Sequence, residues 1–200
     1  LYTEDSIESL SPLEFTRLRP GVYAGDTTYA TQLLVEIISN AVDEFRLGHG
    51  EKIRVELGKD GMVSVRDYGQ GFIPGAYRDD GKTILEAAFS VLNTSGKYRE
   101  DGTYEGTSLG SFGIGSKITT YLSHWLEVET WRDNQSEKIR FKEGEFESRS
   151  SGSVVDKASG TKVKWLPSEE FFTNTGVEIE KIRNLFKTIS CLCPGLTIEL

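Results

Sequence analysis

Four stretches in the second half of the chain, "HWLEVETWRD", "SEKIRFKEG", "EFESRS" and "GTKVKWLP", follow one another as alternating segments of strand length. Successive side chains of a strand point to opposite faces, so such alternation predicts strands with one face in a core and one in water. An earlier pair, "KIRVEL" and "MVSVRDYG", meets across "GKDG" as a further hairpin, and "LTIEL" ends the chain as a last strand. Short turns between strands demand antiparallel pairing. The pattern therefore predicts an α+β two-layer sandwich, a mixed and largely antiparallel sheet covered on one face by helices, rather than a doubly wound parallel fold.

The clearest helix lies over Tyr29 to Leu47, where Leu34, Ile37, Ile38, Ala41 and Phe45 recur at three- and four-residue steps before Gly48. Leu10 to Tyr23 predicts a short helix stopped by Pro20-Gly21. Further helices are predicted over Thr83 to Leu92, in "SKITTYLS" and in "GVEIEKIRNLFKTISCLC". Two hundred residues suit a single domain with a sizeable core, and 37 % hydrophobic with 27 % charged residues fits a soluble globular chain. No apolar run approaches the ~20 residues that cross a bilayer, so no membrane role is expected. A net charge of −8 argues against sequence-independent DNA binding by this segment, which needs clustered Lys and Arg. Cys191 and Cys193 are expected as free thiols in a reducing cytoplasm, and His49 and His124 have no companions at zinc-ligand spacing.

Chemistry is first hinted at in "TSLGSFGIGSK", Thr107 to Lys117. It matches neither phosphate-loop template. Gly110 and Gly115 have the Walker A spacing, but Ser116 and Lys117 follow in the wrong order; Ile118 stands where a dinucleotide fingerprint needs its third glycine. The glycine- and serine-rich run Asn93 to Gly115 has the length of a functional lid. Upstream, Gln32, Glu36, Asn40, Asp43 and Glu44 fall within about a third of a helix circumference. By itself that is a solvated stripe. A carboxylate one turn from an amide is, however, a sensible pair for metal-assisted hydrolysis: the amide oxygen can ligate Mg²⁺, and the carboxylate can take a proton from water. "DYGQGF" (Asp67 to Phe72) places a carboxylate beside Gly69 and Gly71 at a strand end, where a flat base with an exocyclic amine can approach. "SGT" (Ser159 to Thr161) alone is a turn.

These features, in this order with "SFGIGSK" between the last two, resemble the Bergerat-fold ATPases. Within that group "RLRPGVYAGDT", "EIISNAVDE", "SGKY", "GIGSK" and "CPGLTIEL" look like the N-terminal ATPase domain of the B subunit of bacterial type II topoisomerases, gyrase or topoisomerase IV. The resemblance implies ATP and Mg²⁺ as cofactors. Glu36 would be the catalytic base and Asn40 the metal ligand. Asp67 would receive the adenine amine, with Gly71 and Thr161 completing that edge. Gly110, Gly113, Ile114 and Gly115 would form the lid over the phosphates, Lys97 would lie near the phosphate end, and Arg132 at the mouth, where the family binds aminocoumarin inhibitors. It also implies a piece of a longer protein, with a dimerising arm before Leu1 and a lysine-supplying transducer domain after Leu200. The implied partners are a second copy in the ATP-bound dimer, an A-type topoisomerase subunit, and DNA held through other parts of the protein.

The chain departs from the family pattern in four places. Gln32 stands for a histidine, Gln70 for an arginine that pairs with the helix glutamate, Tyr68 for a second aspartate and Phe112 for a lid histidine. Glu44 is then expected to hydrogen bond Gln70. The competing readings are another Bergerat-fold kinase or ATPase, and a nucleotide-binding module without turnover. A serine hydrolase lacks its G-x-S-x-G elbow here.

Overall fold

The predicted strands form one sheet. The computed structural model describes residues 10–92 and 113–200 of the chain. Strands β1 (Lys52–Leu57) and β2 (Val63–Asp67) make the early hairpin, with Ile53 opposite Asp67. β3 (Ser123–Arg132), β4 (Gln135–Lys142) and β5 (Glu145–Ser153) make an antiparallel meander. The β3–β4 connection is the two-residue turn Asp133-Asn134, both at positive φ (52° and 58°), which suits the twist of a tight hairpin. β6 (Gly160–Pro167) pairs antiparallel with both β3 and β2 and so joins the two local units. β7 (Thr197–Glu199) adds in parallel to β1, giving the order β5-β4-β3-β6-β2-β1-β7. The sheet is mixed and largely antiparallel, as the alternation predicts.

Alternation also decides which face is covered. Ile53, Val55, Val63, Val65, Leu126, Val128, Ile139, Phe141, Val163 and Trp165 are all buried in one core. The opposite face carries cross-strand ion pairs, Lys138 with Glu127 and Glu129, Arg140 with Glu147, and Lys162 with Glu56. Such half-exposed pairs contribute little stability individually, about 0–1 kcal/mol, but they keep that face hydrated.

Helices cover the apolar face. α1 (Pro12–Leu18) opens with a capping box in which Ser11 and Glu14 exchange side-chain-to-backbone bonds of 3.2 and 2.7 Å. A helix does stop before Pro20, as the sequence predicts, since α1 ends at Leu18 with Arg19 as its cap, but the chain does not leave helix there. Pro20 begins α2 (Pro20–Ala24) after a break at Arg19 (φ −133°, ψ 60°). Proline excludes the helical region for the residue before it yet fits the first helical position, so one proline ends α1 and starts the next helix.

The long helix α3 (Thr31–Arg46) buries Leu33, Leu34, Ile37, Ile38, Ala41 and Val42 and packs on β1 and β2. Asp43, expected on the open polar stripe, is only 2 % exposed, because that part of the stripe turns into the fold. α4 (Ile84–Ser90) is capped by Thr83, whose hydroxyl accepts from the Glu86 amide. α5 (Gly115–Tyr121) packs against α3 and α4, and α6 (Ile179–Leu192) against α3. Among the described residues no helix is long and apolar enough to cross a membrane. Cys191 lies exposed in α6, Cys193 is buried just beyond it, and both are free thiols.

Candidate functional site

α3 works as a ruler. Glu36, Asn40 and Glu44 recur every fourth residue, so the two glutamates stand about 12 Å apart along its axis. The Glu44 end meets the turn after β2. Glu44 Oε2 accepts from the Gln70 amide at 3.3 Å, and a methyl on Gly69 would lie 2.8 Å from that oxygen. The bond expected between Glu44 and Gln70 thus forms through the backbone. The Gln70 side chain turns instead to Arg132, whose Nη1 lies 3.4 Å from both Gln70 Oε1 and the Gly71 carbonyl. Arg132 therefore sits over this turn.

Asp67, the last residue of β2, is fixed from two sides. Its Oδ1 accepts from the Gly69 amide at 2.9 Å and from the Thr161 amide of β6 at 3.1 Å. Burial raises its pKa to about 6, with the nearby Glu44 charge adding to the rise, while the two amide donors and Arg66 oppose it. Gly160, at φ 123°, comes so close that a methyl there would sit 2.9 Å from Asp67 Oδ1. The following turn is held by the sheet itself: the Phe72 amide donates to Thr130 Oγ1 at 2.8 Å, and Ser159 Oγ donates to the Gly69 carbonyl at 2.8 Å. Gly71 (φ 70°) lies against the Trp131 carbonyl, 2.6 Å from where a methyl would stand. The "SGT" turn, weak in sequence, is thus part of the site. Thr130 carries no sequence signal of its own.

At the other end, Glu36 meets the start of α5. A methyl on Gly115 would collide with Glu36 Oε2, so only glycine lets the helix begin against this carboxylate. Glu36 Oε1 accepts from Gln32 Nε2 at 2.7 Å. In the sequence Gln32 reads only as a lost proton relay; its i, i+4 spacing to Glu36 on a helix is the signal that reveals this bond. Gly113 has φ 62° and Ile114 is the residue before the first turn of α5. Lys117 is buried in α5 (2 % exposed), and burial lowers its pKa to about 8. It belongs to the helix, as expected. Lys97, Gly110 and Phe112 lie outside the described residues.

Asn40 is exposed between the two ends, one turn from each glutamate. No group of three or more His, Cys, Asp or Glu among the described residues gathers to hold a metal. A sparse donor set of this kind suits Mg²⁺, which keeps waters and takes one or two protein oxygens plus phosphate. Asn40 fits such an ion arriving with a nucleotide and does not fit a metal caged by protein alone.

Known proteins share this arrangement of sequence. No family model matches the chain. The B subunit of DNA topoisomerase 4 from Staphylococcus aureus is 38 % identical over 205 residues, covering 100 % of this chain and 30 % of that protein. The same subunit from Streptococcus pneumoniae is 35 % identical over 204 residues, again 100 % of this chain and 31 % of the relative. Over its whole length the chain is similar to part of these topoisomerase 4 B subunits. It spans about three tenths of the length of these B subunits. Within that part, the family's likeness and the α+β sheet of the Bergerat fold agree.

Proposed function

We propose that the chain is the ATP-binding and ATP-hydrolysing domain of a bacterial type II topoisomerase B subunit, acting in the cytoplasm. The observation that carries the reading is the span of α3, which sets Glu44 at the Asp67 turn and Glu36 at the start of α5. An elongated ligand laid along that helix meets a base-accepting carboxylate at one end and a proton-accepting one at the other.

In this reading Asp67 accepts the exocyclic amine of adenine, and Gly71 and Thr161 border the base. Glu36 takes a proton from the water whose oxygen attacks the γ-phosphorus; the bond to the bridging oxygen breaks, and that oxygen leaves with ADP. Gln32 holds Glu36 Oε1 and leaves Oε2 facing Gly115. Asn40 would hold Mg²⁺, whose chemistry there is to neutralise charge on the phosphate oxygens. Gly113, Ile114 and Gly115, with Gly110, would form the lid over the phosphates, and Lys97 would serve near the phosphate end. Arg132, above the Gly71 turn, would meet aminocoumarin-type inhibitors. In the longer protein, nucleotide binding would close a dimer gate between two copies, coupled through an A-type subunit to DNA strand passage.

Calorimetry with ATP and Mg²⁺ tests the reading. Asp67→Ala should abolish measurable binding. Glu36→Ala should retain binding and eliminate turnover in the longer protein. Full turnover by Glu36→Ala would overturn the mechanism.

A further inference from the structure

β4 has one residue out of keeping with its row. Glu137 shares the inward face with Ile139 and Phe141 and, like them, is 0 % exposed. An apolar residue would fill that position without desolvating a carboxylate, so the charge needs partners to be tolerated. Glu137 Oε2 accepts from the Gly75 amide at 2.8 Å, and Oε1 accepts from the Thr83 hydroxyl at 2.6 Å. Arg149 of β5 brings its Nε to 4.0 Å from Oε1 and its Nη2 to 2.9 Å from Glu86, which also receives Lys82 Nζ at 2.8 Å.

The two hydrogen-bonded partners of Glu137 come from different places. Gly75 ends the segment that begins at Asp67, and Thr83 caps α4. That segment is already pinned at Phe72 by Thr130 of β3. Adjacent strands thus hold two amides three residues apart, which fixes the intervening backbone. The second hold also binds the first turn of α4, since Thr83 Oγ1 accepts from the Glu86 amide at 3.2 Å.

We propose that Glu137 is a positioning residue for the nucleotide pocket: by holding the Gly75 amide and the Thr83 hydroxyl together, it sets where the Gly71–Gly75 wall stands relative to Asp67. The inference rests on the ATP reading above and extends it to a residue that need not touch nucleotide. A buried hydrogen bond to a charged acceptor is among the stronger ones, and its loss leaves a donor unpaired.

The test compares the 200-residue chain with Glu137→Gln by amide hydrogen exchange and by calorimetry with a non-hydrolysable ATP analogue and Mg²⁺. Exchange at Gly75 should quicken by about tenfold or more, and analogue affinity should fall by about tenfold, with ADP weakened by the same factor because the fault lies on the base side. Thr83→Val, which leaves the Gly75 bond in place, should weaken the analogue about threefold, and Thr83→Ser should restore it; this pair decides the matter if Glu137→Gln does not fold. Faster exchange at Gly75 with unchanged affinity overturns the positioning role and leaves Glu137 a support of the fold. Unchanged exchange and affinity overturn the clamp altogether. A wild-type chain that binds no adenine nucleotide, while Glu137→Gln still loosens Gly75, refutes the ATP reading and leaves the clamp standing.

Discussion

The two ends of α3 are built on opposite principles. At the Asp67 end, position is set by hydrogen bonds from several elements: Gly69 and Thr161 amides on Asp67, Thr130 on Phe72, Glu137 on Gly75, Glu44 on Gln70. At the Glu36 end a single hydrogen bond, from Gln32 to Oε1, joins a close contact, with α5 beginning against Oε2 because Gly115 has no side chain. Hydrogen bonds aim groups in direction as well as distance, which suits the reading of a base edge. Close contact sets distance only, so Glu36 Oε2 is placed less tightly in direction than Asp67 Oδ1.

Substitutions that exchange the two principles test this contrast. Gly71→Ala should act most strongly. At φ 70° an alanine is strained by about 1–2 kcal/mol, and its methyl meets the Trp131 carbonyl besides. Thermal unfolding should show a loss of at least about 2 kcal/mol, and titration a nucleotide affinity reduced more than about thirtyfold. Gly115→Ala should instead spare affinity and lower kcat in the longer protein by about 10²-fold, because it pushes Glu36 aside. If the two variants reduce the same parameter, the contrast between the ends is wrong.

A pH titration should show the charge on the base end. The folded pKa of Asp67, about 6, lies above its unfolded value, so the folded chain keeps this proton over the range from about 4 to 6. Its contribution to stability is therefore fully present below about pH 4 and is lost as pH rises through 6. On the proposed ATP reading, nucleotide affinity should run the other way, falling by up to about tenfold between pH 7 and pH 5, since the carboxylate is a stronger acceptor for an exocyclic amine than the protonated acid. Asp67→Asn should flatten both curves. The smallest effect is expected at Gln32. Gln32→Ala removes one donor from Glu36 and should lower kcat about three- to tenfold with KM unchanged. Gln32→His, measured in parallel, should restore the rate above about pH 7, where a neutral imidazole N–H donates in place of the amide.

Much of the fold is legible in the order of the residues. Strand alternation marks the six longer strands and, in β1, β3, β4 and β6, the face each buries, and the helix expected over Tyr29 to Leu47 differs from α3 only at its ends. Alternation also contains Glu137, since "EKIRF" sets it on the same face as Ile139 and Phe141. What stays hidden depends on partners far away in the chain. The Thr161 amide reaches Asp67 across 94 residues, and nothing in "SGT" announces that destination. The place of β6 between β3 and β2, and of β7 beside β1, follows from which apolar faces fit together rather than from any local pattern. Pro20 is half legible for the converse reason, being wholly local: the stop it signals is there, and the helix it starts is not announced. A proline acts on both of its neighbours, so the residue that closes α1 also opens α2, and a stop signal describes only half of its effect.

The bridging strand has a consequence for how the molecule comes into being. β1 with β2, and β3 through β5, each close over short turns, whereas β6 must find β2 across more than ninety residues. Local hairpins form quickly and distant pairing slowly, because the entropy of closing a long loop comes before any contact rewards it. Asp67 therefore waits at the end of an early hairpin until β6 arrives to supply the Thr161 amide. A nascent chain halted before residue 160 would carry most of its strands in two unjoined units, so a completed Asp67 turn is itself a report that folding is complete.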